Sequence, residues 1–177
     1  MEFIYAKDLN GGIGKDGDMP WSFKEDFKHF KEITTKREIG ESLPVVIMGK
    51  TTYDSLPTEL KDRYSVVLSS KCFSVANGEV VHSIDELNYL LDFEFSSLEA
   101  RTPVYCIGGS SVYKSLINQA TKLHVTIVED TFDCDSFVPN FEDDFIEVES
   151  KTIEDKNRKT GKKTNLTFKT YIRKEVK

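Results

Sequence analysis

The chain has 177 residues, of which 38% are hydrophobic and 31% are charged, which is the size and composition of one ordinary globular domain. Its formal net charge of −6 opposes non-specific binding to nucleic acid, so an anionic ligand would need a local cluster of Lys or Arg. No stretch approaches the roughly 20 apolar residues of a membrane span and the N-terminus lacks a signal-peptide pattern, so we predict a cytoplasmic protein with no membrane partner.

The cysteines also limit the possible chemistry. Cys72, Cys106 and Cys134 are widely spaced and contain no Cys-x-x-Cys pair, which argues against a disulfide framework and against a zinc site. We therefore predict reduced thiols and no bound metal. Because no exposed apolar strand or heptad repeat stands out, we also predict a monomer.

The N-terminal region begins with a short apolar run over 2–6, which predicts a buried strand at the start of a sheet. The segment 10–18 follows, with four glycines among polar residues. Because glycine adopts backbone conformations that other residues avoid, this composition is typical of a mobile loop that can approach a ligand closely. A plain solvent-exposed turn is the alternative.

A helix is predicted next, over 22–36. Ser22 followed by Glu25 matches a capping box at its start. Apolar side chains recur at helical spacing after this point and predict a buried face, formed by Phe23, Phe27, Phe30 and Ile33.

Asp26 shares that face, because it lies three residues after Phe23 and four before Phe30. Burial would raise the pKa of this carboxyl, whereas the helix N-terminus and a cationic or hydrogen-bonding ligand would lower it. A carboxyl in such surroundings is chemically useful. The helix pattern is equally consistent with an exposed first-turn Asp that only favours the helix dipole.

Strands and helices then alternate, which predicts a parallel α/β sheet. The strands are expected at 45–48, 65–68, 80–82 and 104–107, and the helices at 52–56, 84–93 and 112–118. Gly49-Lys50-Thr51 is similar to part of a P-loop. We reject that reading because Pro44 stands where the motif needs its first glycine.

The C-terminal part is predicted to add strands at 123–128, 145–153 and 165–173, with a loop over 134–141. The basic segment 156–163 lies between the last two strands. In so acidic a chain we interpret it as a solvated hairpin tip and not as a nucleic-acid site.

Ligands of open α/β sheets bind beyond the carboxyl ends of the strands. Here those ends carry the segments 10–18, 49–52, 69–71 and 108–111. Their hydroxyls, lysines and helix-start N–H groups suit a ligand with several phosphates, such as a dinucleotide. The Rossmann fingerprint follows none of the strands, so a dinucleotide would bind by another arrangement.

These features resemble the dihydrofolate reductase family over nearly the whole chain. Motifs of the family appear in order: Ile-Gly-x-x-Gly-x-Met-Pro-Trp at 13–21, Asp26 with Phe30, Val-Ile-Met-Gly-Lys-x-Thr at 46–52, Arg63 before Val-Val-Leu-Ser-Ser at 66–70, and Ile-Gly-Gly-x-x-Val-Tyr at 107–113. The resemblance implies one α/β domain over 1–177, with a mostly parallel eight-stranded sheet, an antiparallel C-terminal strand and about four flanking helices. Its adenosine-binding part would lie at roughly 45–115.

The resemblance also implies an activity, the NADPH-dependent reduction of 7,8-dihydrofolate to tetrahydrofolate for one-carbon and thymidylate metabolism. Hydride would go to C6 and a proton to N5 of the pterin. The catalytic residues would be Asp26, Trp21 and Met19. Asp26 would bind the 2-amino group and N3, while the proton would arrive through water under control of the loop that carries Met19. Antifolate-type inhibitors would bind the same pocket.

Other residues would bind the substrate, as the resemblance implies. Arg63 would hold the α-carboxylate of the glutamate tail, because a planar guanidinium suits a carboxylate. Thr126 would complete the Asp26 network through its hydroxyl. Apolar side chains would line the folate pocket: Ile4, Ala6, Phe27, Phe30, Leu56, Leu60 and Ile107.

The implied cofactor is NADPH. Lys50 would bind its 2′-phosphate with help from Ser69 and Lys71, and Gly108–Gly109 would form the family's cis peptide. The full set expected to contact the cofactor is Ala6, Ile13, Gly14, Gly49, Lys50, Thr51, Thr52, Leu68, Ser69, Ser70, Lys71, His82, Gly108, Gly109, Ser110, Ser111, Val112 and Tyr113.

Some positions depart from the family pattern. Ser111 stands where some members carry Arg, which weakens the argument for a strong NADPH preference. Tyr53 replaces a Trp found in many members. Asp18 places a charge beside Met19 and is expected to affect closure of that loop. His82 fits either the adenosine end of the site or an ordinary surface position.

Two alternatives remain open at this point. A pteridine or riboflavin-pathway reductase could share the fold without needing Arg63 or the Phe30 contact. A non-catalytic folate-binding or assembly protein could retain the site residues without turnover.

Overall fold

The computed structural model describes residues 1–38, 41–95 and 102–174. Ten strands are present in these ranges: β1 Glu2–Lys7, β2 Gly12–Gly14, β3 Val45–Gly49, β4 Tyr64–Leu68, β5 Gly78–Val81, β6 Val104–Gly108, β7 Lys122–Val128, β8 Ser136–Phe137, β9 Phe145–Lys156 and β10 Lys163–Arg173. The α-helices are α1 Lys24–Thr34, α2 Lys50–Ser55, α3 Ile84–Phe93 and α4 Ser110–Leu116, and 3₁₀ turns lie at Ile117–Gln119 and Phe141–Asp144.

The strands form an eight-stranded sheet in the order β5-β4-β3-β6-β1-β7-β10-β9. Neighbours from β5 to β7 are parallel, whereas β10 runs antiparallel to both β7 and β9. The mostly parallel sheet with an antiparallel C-terminal strand is therefore confirmed, as are the four helices. Parallel pairing requires crossover connections; helices provide most of them, whereas β4 and β5 are joined by the segment 69–77, which has no helix.

Both faces of the sheet are covered by apolar packing. In β3, Val45 and Ile47 join a large cluster on one face, while Val46 and Met48 join a smaller cluster on the other. This alternation explains why the strand reads as a continuous apolar run. A third cluster around Trp21 lies beside β7 and β10. Within the described ranges, no helix has the length and apolar character to cross a membrane.

Several predicted boundaries shift. The helices expected at 52–56 and 112–118 begin two residues earlier, at Lys50 and Ser110, because a glycine occupies the N-cap position of each: Gly49 for α2 and Gly109 for α4. The glycine-rich segment is not entirely loop, since β2 pairs with β8 inside the region expected to be a loop at 134–141. Local sequence could not reveal this pairing because the two short strands are distant along the chain.

The capping-box prediction for α1 is wrong. The helix begins at Lys24 and ends at Thr34, and Phe23 occupies the N-cap position without a side-chain cap hydrogen bond. The N–H of Glu25 instead donates to Asp155 Oδ2 at 2.9 Å. The cap is therefore supplied by a residue from strand β9, which no local pattern around Ser22 could indicate.

The predicted buried face of α1 is only partly correct. Phe23 is fully buried and Asp26 is buried with it, whereas Phe27 keeps 41% of its surface exposed. Phe30 and Ile33 are half-buried. The core therefore buries only part of the apolar face of α1. The aromatic surface that stays exposed on this helix is available to a ligand.

Candidate active site

The carboxyl ends of five parallel strands meet at one edge of the sheet. The register places Gly49 beside Leu68, Met48 beside Gly108, and Ala6 beside Thr126. The segments that follow β1, β3, β4 and β6 therefore converge, as their predicted strand ends required. Helix α1 joins this edge through Asp26, and the Thr126 hydroxyl of β7 lowers the pKa of its carboxyl.

Asp26 is buried, with 9% of its surface exposed. Burial raises its pKa to about 6, the Thr126 hydroxyl opposes this by donating a hydrogen bond, and the charge of Asp155 raises the pKa further. A carboxyl that titrates near neutrality can both bind a protonated ligand and take part in proton transfer. The exposed first-turn alternative for Asp26 is therefore excluded.

Trp21 contributes an unused hydrogen-bond donor. Its ring is 1% exposed and packs against Phe132 with the centroids 4.9 Å apart. Its buried Nε1 has no partner within the described part of the chain. Because buried N–H groups are nearly always paired, this atom fits a water molecule or a polar ligand atom.

Arg63 is fixed in place although it carries a charge. It is 5% exposed, and its guanidinium donates to Lys61 O at 3.0 Å and to Thr34 Oγ1 at 2.9 Å. It also lies 5.8 Å from the centre of the Phe30 ring. These bonds use only part of the donor capacity of an Arg side chain, so the held guanidinium can still bind a carboxylate.

The expected apolar lining comes from separate elements. Leu56, Leu60 and Ile107 pack together against the cluster that contains Val46 and Met48. Phe27 and Phe30 lie on α1. Ile4 is buried and Ala6 is half-buried, both on β1. The expected lining would therefore combine α1, the segment after α2, and the strands β1 and β6 of the sheet.

The junction between β6 and α4 is closely packed and has an unusual backbone geometry. The Gly108–Gly109 peptide is cis, as the family resemblance implied, and Gly108 has a φ of +102°. A Cβ atom at Gly108 would lie 2.6 Å from the Tyr113 ring. Tyr113 is buried there and donates to the carbonyl of Ile4 at 2.8 Å. The glycine is required both for its backbone conformation and by this packing.

Lys50, expected at the 2′-phosphate, begins helix α2 directly after Gly49. Its Nζ lies 2.6 Å from Asp54 Oδ2 and 4.7 Å from the centre of the Phe73 ring. The Lys50 ammonium therefore pairs with the Asp54 carboxylate one turn along the helix. This acidic partner was missed, although the i,i+4 spacing of Lys50 and Asp54 is a visible signal.

The segment after β4 forms a second polar group at this edge. Ser69 Oγ accepts from the N–H of Lys71 at 3.0 Å. The carbonyl of Ser69 lies 2.7 Å from His82 Nδ1, and His82 Nε2 lies 3.7 Å from Cys72 Sγ. His82 is thus brought beside Ser69 while remaining at the surface.

The remaining residues expected at the cofactor occupy the same edge with different exposure. Ser110 donates to the carbonyl of Phe137 at 2.5 Å, which joins the start of α4 to β8. Thr51, Ser70 and Ser111 are exposed, Thr52, Leu68 and Ile13 are half-buried, and Gly14 and Val112 are buried.

The segment 156–163 does more than the solvated tip that we expected. Lys159 Nζ lies 2.8 Å from Asp18 Oδ2 and also donates to the carbonyl of Met19. The side chains of the segment are exposed except that of Asn157, which is buried, and the segment contacts the loop that carries Met19. Sequence analysis missed this because the contact spans most of the chain.

Comparison with known proteins places the chain among the NADPH-dependent oxidoreductases. The family model for dihydrofolate reductase matches residues 1–173. The chain therefore belongs to the dihydrofolate reductase family.

Individual relatives agree with this assignment. The chain is 32% identical to a dihydrofolate reductase of Schistosoma mansoni, with 96% of this chain and 92% of the relative covered. It is 35% identical to the dihydrofolate reductase of Mus musculus over 80% of each. It spans only 26% of a bifunctional dihydrofolate reductase-thymidylate synthase of Arabidopsis thaliana, to which it is 34% identical over 78% of this chain.

A solved structure shares the fold. The dihydrofolate reductase from Enterococcus faecalis, determined with NADP(H) and RAB-propyl, matches with a TM-score of 0.80 and 27% identity. The match covers 98% of this chain and 96% of that one.

Proposed function

We propose that this chain reduces 7,8-dihydrofolate to 5,6,7,8-tetrahydrofolate with NADPH, and so supports one-carbon and thymidylate metabolism. The observation that carries the proposal is the buried carboxyl of Asp26, whose pKa lies at about 6. A pterin presents an amino group and a ring nitrogen that can donate to a carboxylate. An acid that changes protonation near neutrality suits both this recognition and the delivery of a proton to the substrate.

Asp26 would bind the 2-amino group and N3 of the pterin, with Thr126 holding the carboxylate by its hydroxyl. The free Nε1–H of Trp21 would position a water molecule or a polar atom of the substrate nearby. The proton for N5 would come through water, and Met19 would control the access of that water. These roles would account for the buried carboxyl of Asp26 and for the unpaired Nε1–H of Trp21.

The substrate's glutamate tail would bind to Arg63. The guanidinium is already oriented by Lys61 and Thr34, so little conformational entropy would be lost when a carboxylate binds. Phe27 and Phe30 would contact the ring system between the pterin and the tail, together with Leu56 and Leu60. The exposure of Phe27 supports this role.

The residues at the sheet edge fit NADPH. Lys50, Ser69 and Lys71 follow the neighbouring strands β3 and β4 and would form a local group of phosphate-binding side chains in an acidic chain. NADPH would supply the hydride. Lys50 would bind the 2′-phosphate, and Gly109 and Ser110 would offer backbone N–H groups at the start of α4.

We further propose a monomer that acts in the cytoplasm as one domain, with its adenosine-binding part at roughly 45–115. The net charge of −6 supports the expectation that nucleic acid is not a partner. Antifolate-type inhibitors would compete for the Asp26 pocket. Size-exclusion chromatography with light scattering tests the oligomeric state.

One assay tests the proposed activity. Steady-state oxidation of NADPH by the purified protein should require dihydrofolate and should yield tetrahydrofolate. A pteridine or riboflavin-pathway reductase would turn over only its own substrate, and a non-catalytic folate-binding protein would bind dihydrofolate without turnover. Binding measured by quenching of Trp21 fluorescence separates these outcomes, and folded protein that binds without turnover would contradict the proposal.

A further inference from the structure

Helix α1 carries the acid of the proposed active site but does not cap its own N-terminus. Phe23 at the N-cap position provides no side-chain acceptor. The first N–H groups of a helix have no acceptor within the helix and need one from elsewhere. Asp155 meets this need for Glu25, because its Oδ2 accepts the Glu25 N–H at 2.9 Å.

Asp155 is held firmly at this position. It lies near the end of β9 opposite Thr164 of β10, and its second carboxylate oxygen, Oδ1, accepts from the N–H of Lys156 at 2.7 Å. The turn that follows contacts the chain before α1. The N–H of Ser22 donates to Asn157 Oδ1 at 3.3 Å, and the carbonyl of Ser22 accepts from the N–H of Arg158 at 2.7 Å. The carboxylate therefore belongs to a hairpin that is bonded to the helix start on several sides.

We propose that Asp155 is a positioning residue for Asp26, acting from β9 as the N-terminal cap that α1 lacks and as a fixed negative charge beside the acid. The proposal rests on the proposed function of Asp26. The helix N-terminus alone would favour an ionised Asp26, because the first turn carries partial positive charge. The carboxylate of Asp155, bound to the N–H of the preceding residue, offsets that partial charge.

The other groups around Asp26 do not supply the same effect. On β7, Thr126 is neutral and donates to the carboxylate. On α1 itself, the charged atoms of Glu25 and Lys28 lie 3.9 Å apart, and the His29 ring packs in a tilted arrangement against Phe168 of β10, with the ring centres 4.2 Å apart. The charged side chains Glu32, Glu149 and Lys151 line a groove together with His29. Of the charged groups, it is Asp155 that raises the pKa of Asp26.

The cap and the charge can be separated by two substitutions. Asp155→Asn keeps an oxygen that accepts the Glu25 N–H but removes the charge. Asp155→Ala removes both. Glu154→Gln is the matched control, because it removes the same charge from the adjacent residue, whose carboxylate pairs with Lys163 at 2.7 Å on the exposed side of the hairpin.

The first measurement is the titration of the Asp26 carboxyl by carbon-13 NMR in the full, ligand-free protein. Asp155→Asn should lower the midpoint by about half a pH unit while leaving the melting temperature near that of the wild type. Asp155→Ala should lower both the midpoint and the melting temperature, since an unfilled N-cap destabilises a helix. Glu154→Gln should change neither.

The second measurement is the pH dependence of kcat/KM with dihydrofolate. The alkaline limb should move to lower pH by the same interval in Asp155→Asn, so that the rate above the midpoint falls about threefold. An unchanged midpoint in Asp155→Asn, or an equal shift in Glu154→Gln, would overturn the proposal. A shifted NMR midpoint in a protein without turnover would instead retain the role of Asp155 and refute the proposed function.

Discussion

Asp26 satisfies two requirements that conflict. Its burial raises its pKa to about 6, which suits proton chemistry, but burying a carboxyl is unfavourable for folding. A single hydrogen bond from Thr126 provides only partial compensation. The unfavourable burial of Asp26 is therefore explained by its proposed role in the site and not by folding. Substitutions at this position should lower the reaction rate and raise the stability of the fold.

Asp26→Asn should strongly reduce turnover at neutral pH, by about a hundredfold or more, because an amide neither pairs with a protonated pterin nor supports protonation of N5. At acidic pH the loss should be smaller, since preprotonated substrate becomes available. The measurement is kcat/KM for dihydrofolate from acidic to neutral pH. An equal loss at every pH would contradict a protonation role.

Arg63→Ala should weaken the binding of dihydrofolate far more than the binding of a pterin without the glutamate tail. The expected difference is on the order of a hundredfold, because a charge-assisted bidentate contact is lost only for the substrate with a carboxylate. Dissociation constants for both ligands provide the test. Arg63→Lys is the matched variant and should recover only part of the affinity, and equal losses for the two ligands would refute the assignment.

Among the elements, the hairpin of β9 and β10 has the largest effect beyond its own strands. Its turn binds the start of α1 through Asn157 and Arg158, and Lys159 reaches Asp18 and the carbonyl of Met19. The same hairpin turn therefore contacts both the Met19 loop and the chain at the start of α1. The placement of both parts of the proposed site depends on strands that are distant in sequence.

Lys159→Ala should loosen the Met19 loop without unfolding the protein. An exposed ion pair contributes about 1 kcal/mol or less to global stability, whereas loss of the bond to the Met19 carbonyl removes a local restraint. Hydrogen exchange of the amides at 17–21 should become several-fold faster. Lys162→Ala is the control, because Lys162 pairs with Asp130 at 2.7 Å and not with the loop. Equally faster hydrogen exchange in both variants would argue against a specific restraint of the loop by Lys159.

For the molecule as a whole, Asp26 makes stability depend on pH in a definite direction. Its pKa is about 6 in the folded protein against a reference of 3.8, so the folded state binds more protons than the unfolded state between these values. Stability contributed by this group is then lost as pH rises through that range. The loss is complete above about pH 6 and amounts to about 3 kcal/mol.

Asp26→Asn should therefore stabilise the ligand-free protein at neutral pH and have little effect near pH 4. Chemical denaturation of both proteins at the two pH values measures the difference. If Asp26→Asn is less stable than the wild type at neutral pH, the surroundings of Asp26 stabilise its ionised form more than the raised pKa indicates. Thr126→Val supplies a comparison in which the compensating hydrogen bond is removed.

The elements were largely determined by local sequence. Local apolar runs predicted the strands β3, β4 and β6. The helical spacing of apolar side chains predicted α3 at Ile84–Phe93, and neither prediction needed tertiary information. Glycine and lysine at the strand ends predicted a phosphate-binding edge, because parallel strands bring their carboxyl ends together. The family motifs then supplied the proposed role of Asp26, which the helix pattern alone left undecided.

Only the tertiary structure decided how these parts meet. The capping of α1 by Asp155, the pairing of β2 with β8, and the bond from Lys159 to the Met19 loop all join residues more than a hundred positions apart. Periodicity reports which face of an element is apolar but not which distant residue will contact it. The exposure of Phe27 has the same origin, because the sheet covers α1 through Phe23 and Asp26 and leaves the rest of the stripe open.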